Sequence, residues 1–301
     1  MKEQLSKSEL KRRIINLAIN EYIETAEHLR SVANIAKKYG LNKRTVSKYL
    51  KERGVNVKPN RGTKLINDKI FDNIDTEEKA YWLGFLYADG YIAKNNNQIG
   101  LSLSITDLNH LQKYKEFIGW CGDIKIQETH MFGSKEHFNK NGELLQMCRI
   151  IVTNEHMHNS LAKLGCVPNK SLILTFPTDE QVPKQFKLAF IRGYFDGDGT
   201  LGLYRHSKKN PNLEESLIIV GTKPFLEGIQ QYLGTGFLMQ KSNCNPLTYR
   251  LSYSTKKAYI VATLLYKNAH VYLDRKYNIY INKYVPHNRV KSVNPEMGIP
   301  R

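Results

Sequence analysis

Asp89 and Asp198 each precede a glycine at the end of an apolar run, WLGFLYADGYI at 82–92 and FIRGYFDGDGT at 190–200. Each run has a small residue at one helical position, Gly84 or Gly193, and another four later, Ala88 or Gly197. Residues at i and i+4 share a helix face. Each run therefore offers a narrow stripe, poor in side chains, on which two helices can approach closely. The following glycine lets the chain leave the helix. A carboxylate just before it sits at the negative end of the helix dipole, where it is disfavoured. Two such carboxylates brought together by helix packing need compensation, and divalent cations are the usual one. Paired metal-binding aspartates across a pseudo-twofold axis point to phosphodiester hydrolysis.

The two runs resemble the nine-letter LAGLIDADG signature. Trp82-Leu83-Gly84-Phe85-Leu86-Tyr87-Ala88-Asp89-Gly90 is one copy and Ile191-Arg192-Gly193-Tyr194-Phe195-Asp196-Gly197-Asp198-Gly199 the other. The first copy departs at the sixth position, with Tyr87 where Asp is common. The resemblance covers roughly Glu77 to Tyr284. It is to the two-motif, single-chain homing endonucleases, and implies a site-specific double-strand DNA endonuclease that cuts one strand with each half. It also implies that Asp89 and Asp198 bind the catalytic metal. Lys170, in CVPNKSLIL, and Lys276, in YLDRKYNIY, hold equivalent places late in each half. In the family a lysine there lies beside the active centre, polarising water or stabilising the pentavalent phosphate. Magnesium is the expected cation, since oxygen-only ligands favour a hard ion, with manganese as a substitute. Two other classes stay open: a DNA-binding transcriptional regulator that does not cleave, and an RNA maturase that acts on intron RNA.

The chain has 301 residues, which suits two or three small units rather than one core. Its 45 Lys and Arg against 28 Asp and Glu leave a formal charge of +17. That excess points to a polyanionic partner. No segment approaches the length of a transmembrane helix, so no membrane partner is expected. The N-terminal MKEQLSKSELKRR has no apolar signal region. A protein of the cytoplasm or an organellar matrix, not secreted, is the expectation. Cys121, Cys148, Cys166 and Cys244 are scattered without metal-ligand spacing, which argues against structural zinc or a disulfide framework.

Four segments are expected: a helix-turn-helix-like DNA-binding domain at 1–57, a linker at 58–75, and two LAGLIDADG halves at 76–180 and 181–301. In the first, Ile14, Ile15, Leu17, Ala18, Ile19, Tyr22 and Ile23 recur at helical period. Then Ala36, Gly40 and Val46 have the spacing of a helix-turn-helix. Lys43, Arg44 and Lys48 line the outer side of its second helix, where they would meet DNA. Residues 1–70 hold 17 basic and 7 acidic side chains, which favours that contact over a merely solvated face. The stretch beginning KPNRGTK lacks periodicity and is expected as an irregular linker.

After each motif the pattern reads hairpin, helix, hairpin, helix, with short alternating strands in adjacent pairs. The fold class is α+β: a duplicated αββαββα saddle with antiparallel sheets, preceded by a small all-helical domain. In the family the concave sheet faces lie on DNA and the motif helices form the seam. A two-stranded ribbon fits the major groove. The insert YRHSKKNPN, with Arg205, Lys208 and Lys209, is expected to touch phosphates, whereas its counterpart near Lys94 is shorter and less charged. Such differences imply a long, non-palindromic duplex target bound by a monomer.

Overall fold

The computed structural model describes residues 6–25, 32–55, 66–128, 130–131, 135–136, 146–204, 214–241 and 245–285. Two compact units emerge, residues 1–66 and 67–301.

The first unit has three helices, α1 (Lys7–Glu24), α2 (Val32–Lys38) and α3 (Lys43–Glu52). Ser6 and Glu9 form a reciprocal capping box that starts α1. Ile15, Ala18, Ile19 and Tyr22, spaced i, i+3, i+4, i+7, pack against Ile35, Ala36, Val46 and Leu50. Leu17 and Ile23, expected in the same stripe, are exposed, because their angular positions fall outside that face. Gly40 turns the chain from α2 towards α3 with a φ of 61°. Its N–H donates to the Lys37 carbonyl, and that of Leu41 to the Ala36 carbonyl at 2.8 Å. This helix ending requires a left-handed residue, which glycine supplies without strain. Asn42 then caps α3.

The second unit contains α4 (Glu77–Asp89), β1 (Gly90–Ile92), β2 (Gln98–Ser104), α5 (Leu108–Phe117), β3 (Lys125–Glu128), β4 (His130–Met131), β5 (Lys135–Glu136), β6 (Gln146–Thr153) and α6 (Glu155–Lys163). It continues with α7 (Lys187–Asp198), β7 (Gly199–Tyr204), β8 (Glu214–Gly221), α8 (Lys223–Leu233), β9 (Phe237–Gln240), β10 (Tyr249–Ser254), α9 (Thr255–Tyr266) and α10 (Asp274–Ile279), the last running into a π-helical turn at Tyr280–Tyr284. Two four-stranded antiparallel sheets have orders β1-β2-β6-β3 and β7-β8-β10-β9. The second strand of each first hairpin thus pairs with the second strand of the next. This is the duplicated αββαββα saddle that the sequence pattern implies.

One face of each sheet is buried. Leu101, Leu103, Cys148, Ile150 and Val152 pack towards α5 and α6, and Leu217, Ile219, Leu251 and Tyr253 towards α8 and α9. Period-2 alternation leaves the opposite face open. Helices α4 and α7 lie together between the halves and are buried nearly all round, mostly by apolar residues, with Lys187, Arg192 and Asp196 of α7 as buried charged exceptions.

The expected linker at 58–75 differs from what is observed over its second part. Ile70, Phe71 and Ile74 are buried, and the Asn67 N–H donates to the Ile118 carbonyl at 2.9 Å. Three apolar anchors without regular spacing hold this segment on the second unit, so periodicity did not reveal them. Residues 56–65 lie outside the described residues, as does the insert bearing Arg205, Lys208 and Lys209. No described helix is long and apolar enough to cross a membrane.

Candidate active site

The seam is built from glycine. A β-carbon on Gly84 would stand 2.0 Å from the Phe190 carbonyl oxygen, and one on Gly193 would stand 1.9 Å from that of Tyr81. The two contacts are pseudo-symmetric, each helix pressing its glycine onto the other's backbone. A turn further on, a β-carbon on Gly197 would meet Ala88 Cβ at 2.3 Å and Asp89 Oδ2 at 3.2 Å. The small-residue stripe thus brings the two helix ends, and their aspartates, to one place.

Gly90 and Gly199 end the motif helices with φ of −69° and −98°, ordinary extended backbone rather than the left-handed turn of the surface helices. Their missing side chain serves closeness instead. A β-carbon at Gly90 would sit 2.4 Å from the Leu86 carbonyl, and one at Gly199 would sit 2.1 Å from the Phe195 ring.

Asp89 is half-buried and Asp198 exposed. Loss of solvent, then the charge of Asp198, pushes the Asp89 carboxyl up to about 6, against the pull of Lys276, Lys170 and Arg275. Enclosure by protein raises Asp198 as well, opposed by Lys170, Lys276 and the Tyr194 hydroxyl. Its tip still meets solvent, which tempers that shift.

Both predicted lysines come to this point from beneath. Lys170 Nζ donates to the Gly90 carbonyl at 2.5 Å and the Ala88 carbonyl at 3.4 Å. Lys276 Nζ donates to Phe195, Gly199 and Asp196 carbonyls at 2.5, 2.6 and 2.8 Å. An ammonium has three protons, so those of Lys276 are all engaged. Cations at a helix C-terminus satisfy orphan carbonyls and oppose the dipole. The compensation expected from a metal alone is therefore supplied partly by these lysines. Burial brings Lys276 down to about 8, with Asp196 the strongest opposing influence.

Asp196 is the residue that sequence reasoning missed. It is wholly buried and accepts from Tyr266 at 2.5 Å, Tyr81 at 2.7 Å and the Leu273 N–H at 2.8 Å. Because Tyr81 spends its proton on Asp196, its oxygen accepts from His110 Nε2 at 3.1 Å. Burial holds that imidazole neutral, its pKa down to about 3. The chain His110–Tyr81–Asp196–Tyr266 ties α4 and α5 of the first half to α9 of the second. The equivalent residue in the first motif, Tyr87, donates its hydroxyl to the Leu164 carbonyl at 2.5 Å. An Asp at the sixth motif position, on the helix that packs in the seam, was the available signal. Arg192, also buried, joins Glu77 and the Val271 and Leu265 carbonyls. Arg275 is held by Asp107 at 3.0 Å.

In the first unit, Lys43, Arg44 and Lys48 all lie on the exposed side of α3, opposite the buried Val46 and Leu50. Ser47 and Lys51 line the same shallow depression.

Among known families, the model of the LAGLIDADG-like domain matches residues 185–256. No curated protein matches the chain. Similar solved structures include the meganuclease I-SmaMI bound to uncleavable DNA, 13% identical, covering 72% of this chain and 92% of that one with a TM-score of 0.45. The I-SmaMI LAGLIDADG homing endonuclease bound to cleaved DNA is 15% identical, with coverages of 67% and 86% and a TM-score of 0.42. For the I-LtrWI LAGLIDADG homing endonuclease bound to target DNA the values are 11%, 72%, 85% and 0.36. Residues 185–256 therefore match a LAGLIDADG-like domain, and the first half of the chain repeats the order of its elements and its aspartate-bearing helix.

Proposed function

We propose that this protein is a site-specific endonuclease that hydrolyses phosphodiester bonds in double-stranded DNA with a divalent cation held by Asp89 and Asp198. The observation that carries this reading is the convergence of the two carboxylates at the end of the α4–α7 seam, where the missing Gly197 side chain leaves Asp89 Oδ2 against the neighbouring helix.

The donor set fits a hard cation. Magnesium keeps several waters and binds through one or two carboxylates plus substrate phosphates, so a cage of protein ligands is not required. Among the described residues no group of three or more His, Cys, Asp or Glu could hold a metal ion by itself. The raised pKa of Asp89 reflects loss of solvent first and repulsion with Asp198 second, and a bound cation would relieve the repulsion. Once bound, the cation would polarise a phosphoryl oxygen and lower the pKa of bound water. Manganese should substitute.

The chain's own residues do the positioning. Asp89 and Asp198 hold the cation, and the glycine stripe fixes their separation. Lys170 and Lys276 pin the two helix ends and keep positive charge beneath the reacting phosphate. Lys276 acts through the backbone it holds rather than by donating to phosphate, since its three protons are taken, whereas Lys170 holds two carbonyls and keeps a proton for the phosphate. The open faces of the two sheets, together with Lys43, Arg44 and Lys48 of α3, would contact a long, non-palindromic duplex. Arg205, Lys208 and Lys209 would add phosphate contacts. A single chain carries both motifs, so a monomer suffices.

A library of randomised duplexes incubated with the protein and Mg²⁺ should yield one enriched cut site. Specific binding without cutting in Mg²⁺ or Mn²⁺ would instead make the protein a non-cleaving regulator.

A further inference from the structure

Four consecutive residues, Leu273 to Lys276, divide their contacts between the two halves. The Leu273 N–H and the Lys276 ammonium reach α7, at Asp196 and at the carbonyls around its end. Asp274 and Arg275, between them, reach the first half instead. Asp274 accepts from Asn109 Nδ2 at 2.9 Å and from Lys113 Nζ at 2.8 Å. Arg275 Nε donates to both oxygens of Asp107, at 3.0 and 3.1 Å. Asn109 and Lys113 stand one turn apart on α5 and so share a face. Lys113 Nζ also lies 5.5 Å from the centre of the Tyr272 ring.

Two features set this contact apart from ordinary surface pairing. Asp107 is only 9% exposed and occupies the N-cap position of α5, where a carboxylate usually accepts from its own helix. Here it makes no capping bond and is spent across the halves on Arg275. Helix α10, in turn, is six residues long and has no side-chain cap at its own start. A helix of that length has little stability alone, so what it touches sets its position. The turn that carries Lys170 is held otherwise. From the second half the Thr222 hydroxyl donates to the Leu174 carbonyl, a neutral bond where α10 has an ionic cluster.

We propose that Asp107, Asn109 and Lys113 of the first half are positioning residues for Lys276 of the second, holding α10 so that its ammonium reaches the end of α7 beside Asp198. The first half thus sets the geometry of the second half's metal-holding end by charge, whereas the reverse contact is neutral. Its consequence for cleavage rests on the function proposed above; the placement of Lys276 does not.

Amine acetylation of the metal-free full chain, read at each lysine by mass spectrometry, tests the placement without DNA. Lys276 and Lys170 are both buried, so both should react slowly in the unaltered protein. Asp107→Asn and Lys113→Met should each raise the rate at Lys276 about three- to fivefold, the worth of one partly exposed ion pair, and leave Lys170 within about twofold. The two substitutions change the local charge in opposite directions, so a shared rise reports movement of α10 rather than the field at the amine. Salt at about 1 M should act like the substitutions, again at Lys276 alone. No change at Lys276, opposite changes in the two variants, or an equal rise at Lys170 overturns the proposal, the last because it reports general loosening. On a selected target duplex, both variants should slow single-turnover cleavage by a similar factor at saturating protein, with affinity within about twofold. Tighter binding by Asp107→Asn at an unchanged rate would make Arg275 a phosphate clamp freed from its partner, and would also overturn the positioning role. An unaltered chain that cuts nothing overturns the cleavage reading and leaves acetylation to decide the placement.

Discussion

Adding one methyl group at Gly193 tests whether the seam is as tight as its geometry. The β-carbon of Gly193→Ala would stand 1.9 Å from the Tyr81 carbonyl oxygen, where a carbon–oxygen contact needs about 3.3 Å. The blocking atom is backbone in the middle of α4, so no side chain can swing away; the helices themselves must separate by about 1 Å. Overpacking of this kind costs about 3 kcal/mol or more. Alanine returns about 1 kcal/mol through its better helix propensity. The net loss is about 2 kcal/mol, or about 4–8 °C in Tm for a unit of this size. Gly84→Ala should behave alike, since its β-carbon would lie 2.0 Å from the Phe190 carbonyl. Because one separation relieves both clashes, the double substitution should cost well under the sum of the two. Urea unfolding followed by the fluorescence of Trp82, buried in α4, measures each loss, and plasmid cleavage measures the aspartate geometry. Cleavage should fall more than the folded fraction does, because the seam sets the spacing of Asp89 and Asp198. Net losses below about 0.5 kcal/mol with cleavage intact, or strictly additive losses, would refute the shared gap.

Asp89→Asn and Asp198→Asn should each slow cleavage at least about 100-fold while target binding holds, as expected when about 3 kcal/mol of metal-assisted stabilisation is lost; normal rates would remove that residue from the centre. In metal-free protein, Asp89→Asn should also raise Tm at pH 7. The folded carboxyl titrates near 6, above its ordinary 3.8, so native stability is lost as pH rises through that range, and the advantage of the variant should vanish near pH 4. Lys276→Met leaves three helix-end carbonyls without their donor and should cost about 2–4 kcal/mol by urea unfolding; a loss confined to DNA affinity would make the lysine a phosphate clamp. Removing residues 1–66 should shorten the DNA footprint and lessen the salt dependence of binding; identical protected lengths would sink the DNA-reading role of Lys43, Arg44 and Lys48.

The duplicated Asp-Gly runs made the seam legible, because small residues at i and i+4 constrain helix packing locally. Strand alternation made the sheets legible in the same way: Leu101 and Leu103 face in and Ser102 faces out. What escaped was whatever depends on partners far apart along the chain. Asp196 finds Tyr266, Leu273 and Tyr81 at separations of 70, 77 and 115 residues, and no periodicity announces such a site. Lys170 and Lys276 stand at equivalent places late in each half, but their hydrogen bonds to backbone carbonyls leave no trace in residue type. Gly90 and Gly199 do let the chain leave each helix, yet their φ values are ordinary. Closeness to Leu86 and Phe195 is what excludes a side chain there. Ile70, Phe71 and Ile74 anchor their segment without forming an element, so a stretch that looks irregular is partly core.

The seam also shows why its two ends are not equivalent. Two helices that point their C-termini at one spot collect partial negative charge there, and each adds a carboxylate. Left alone, that arrangement would push the helices apart. Each end is held by an ammonium from its own half, but the two are supported differently. Lys276 has three carbonyls and the nearby Asp196 charge. Lys170 has two carbonyls, and the residue equivalent to Asp196 is the neutral Tyr87. The extra carboxylate offsets the desolvation of Lys276 and, through Tyr81 and His110, reaches into the first half. Its cost is met by three hydrogen bonds, since a buried carboxylate tolerates its site only when its lone pairs are satisfied. Pseudo-symmetry in the backbone thus coexists with asymmetry in charge. The framework is repeated, and single positions such as Tyr87 and Asp196 make the two halves electrostatically different.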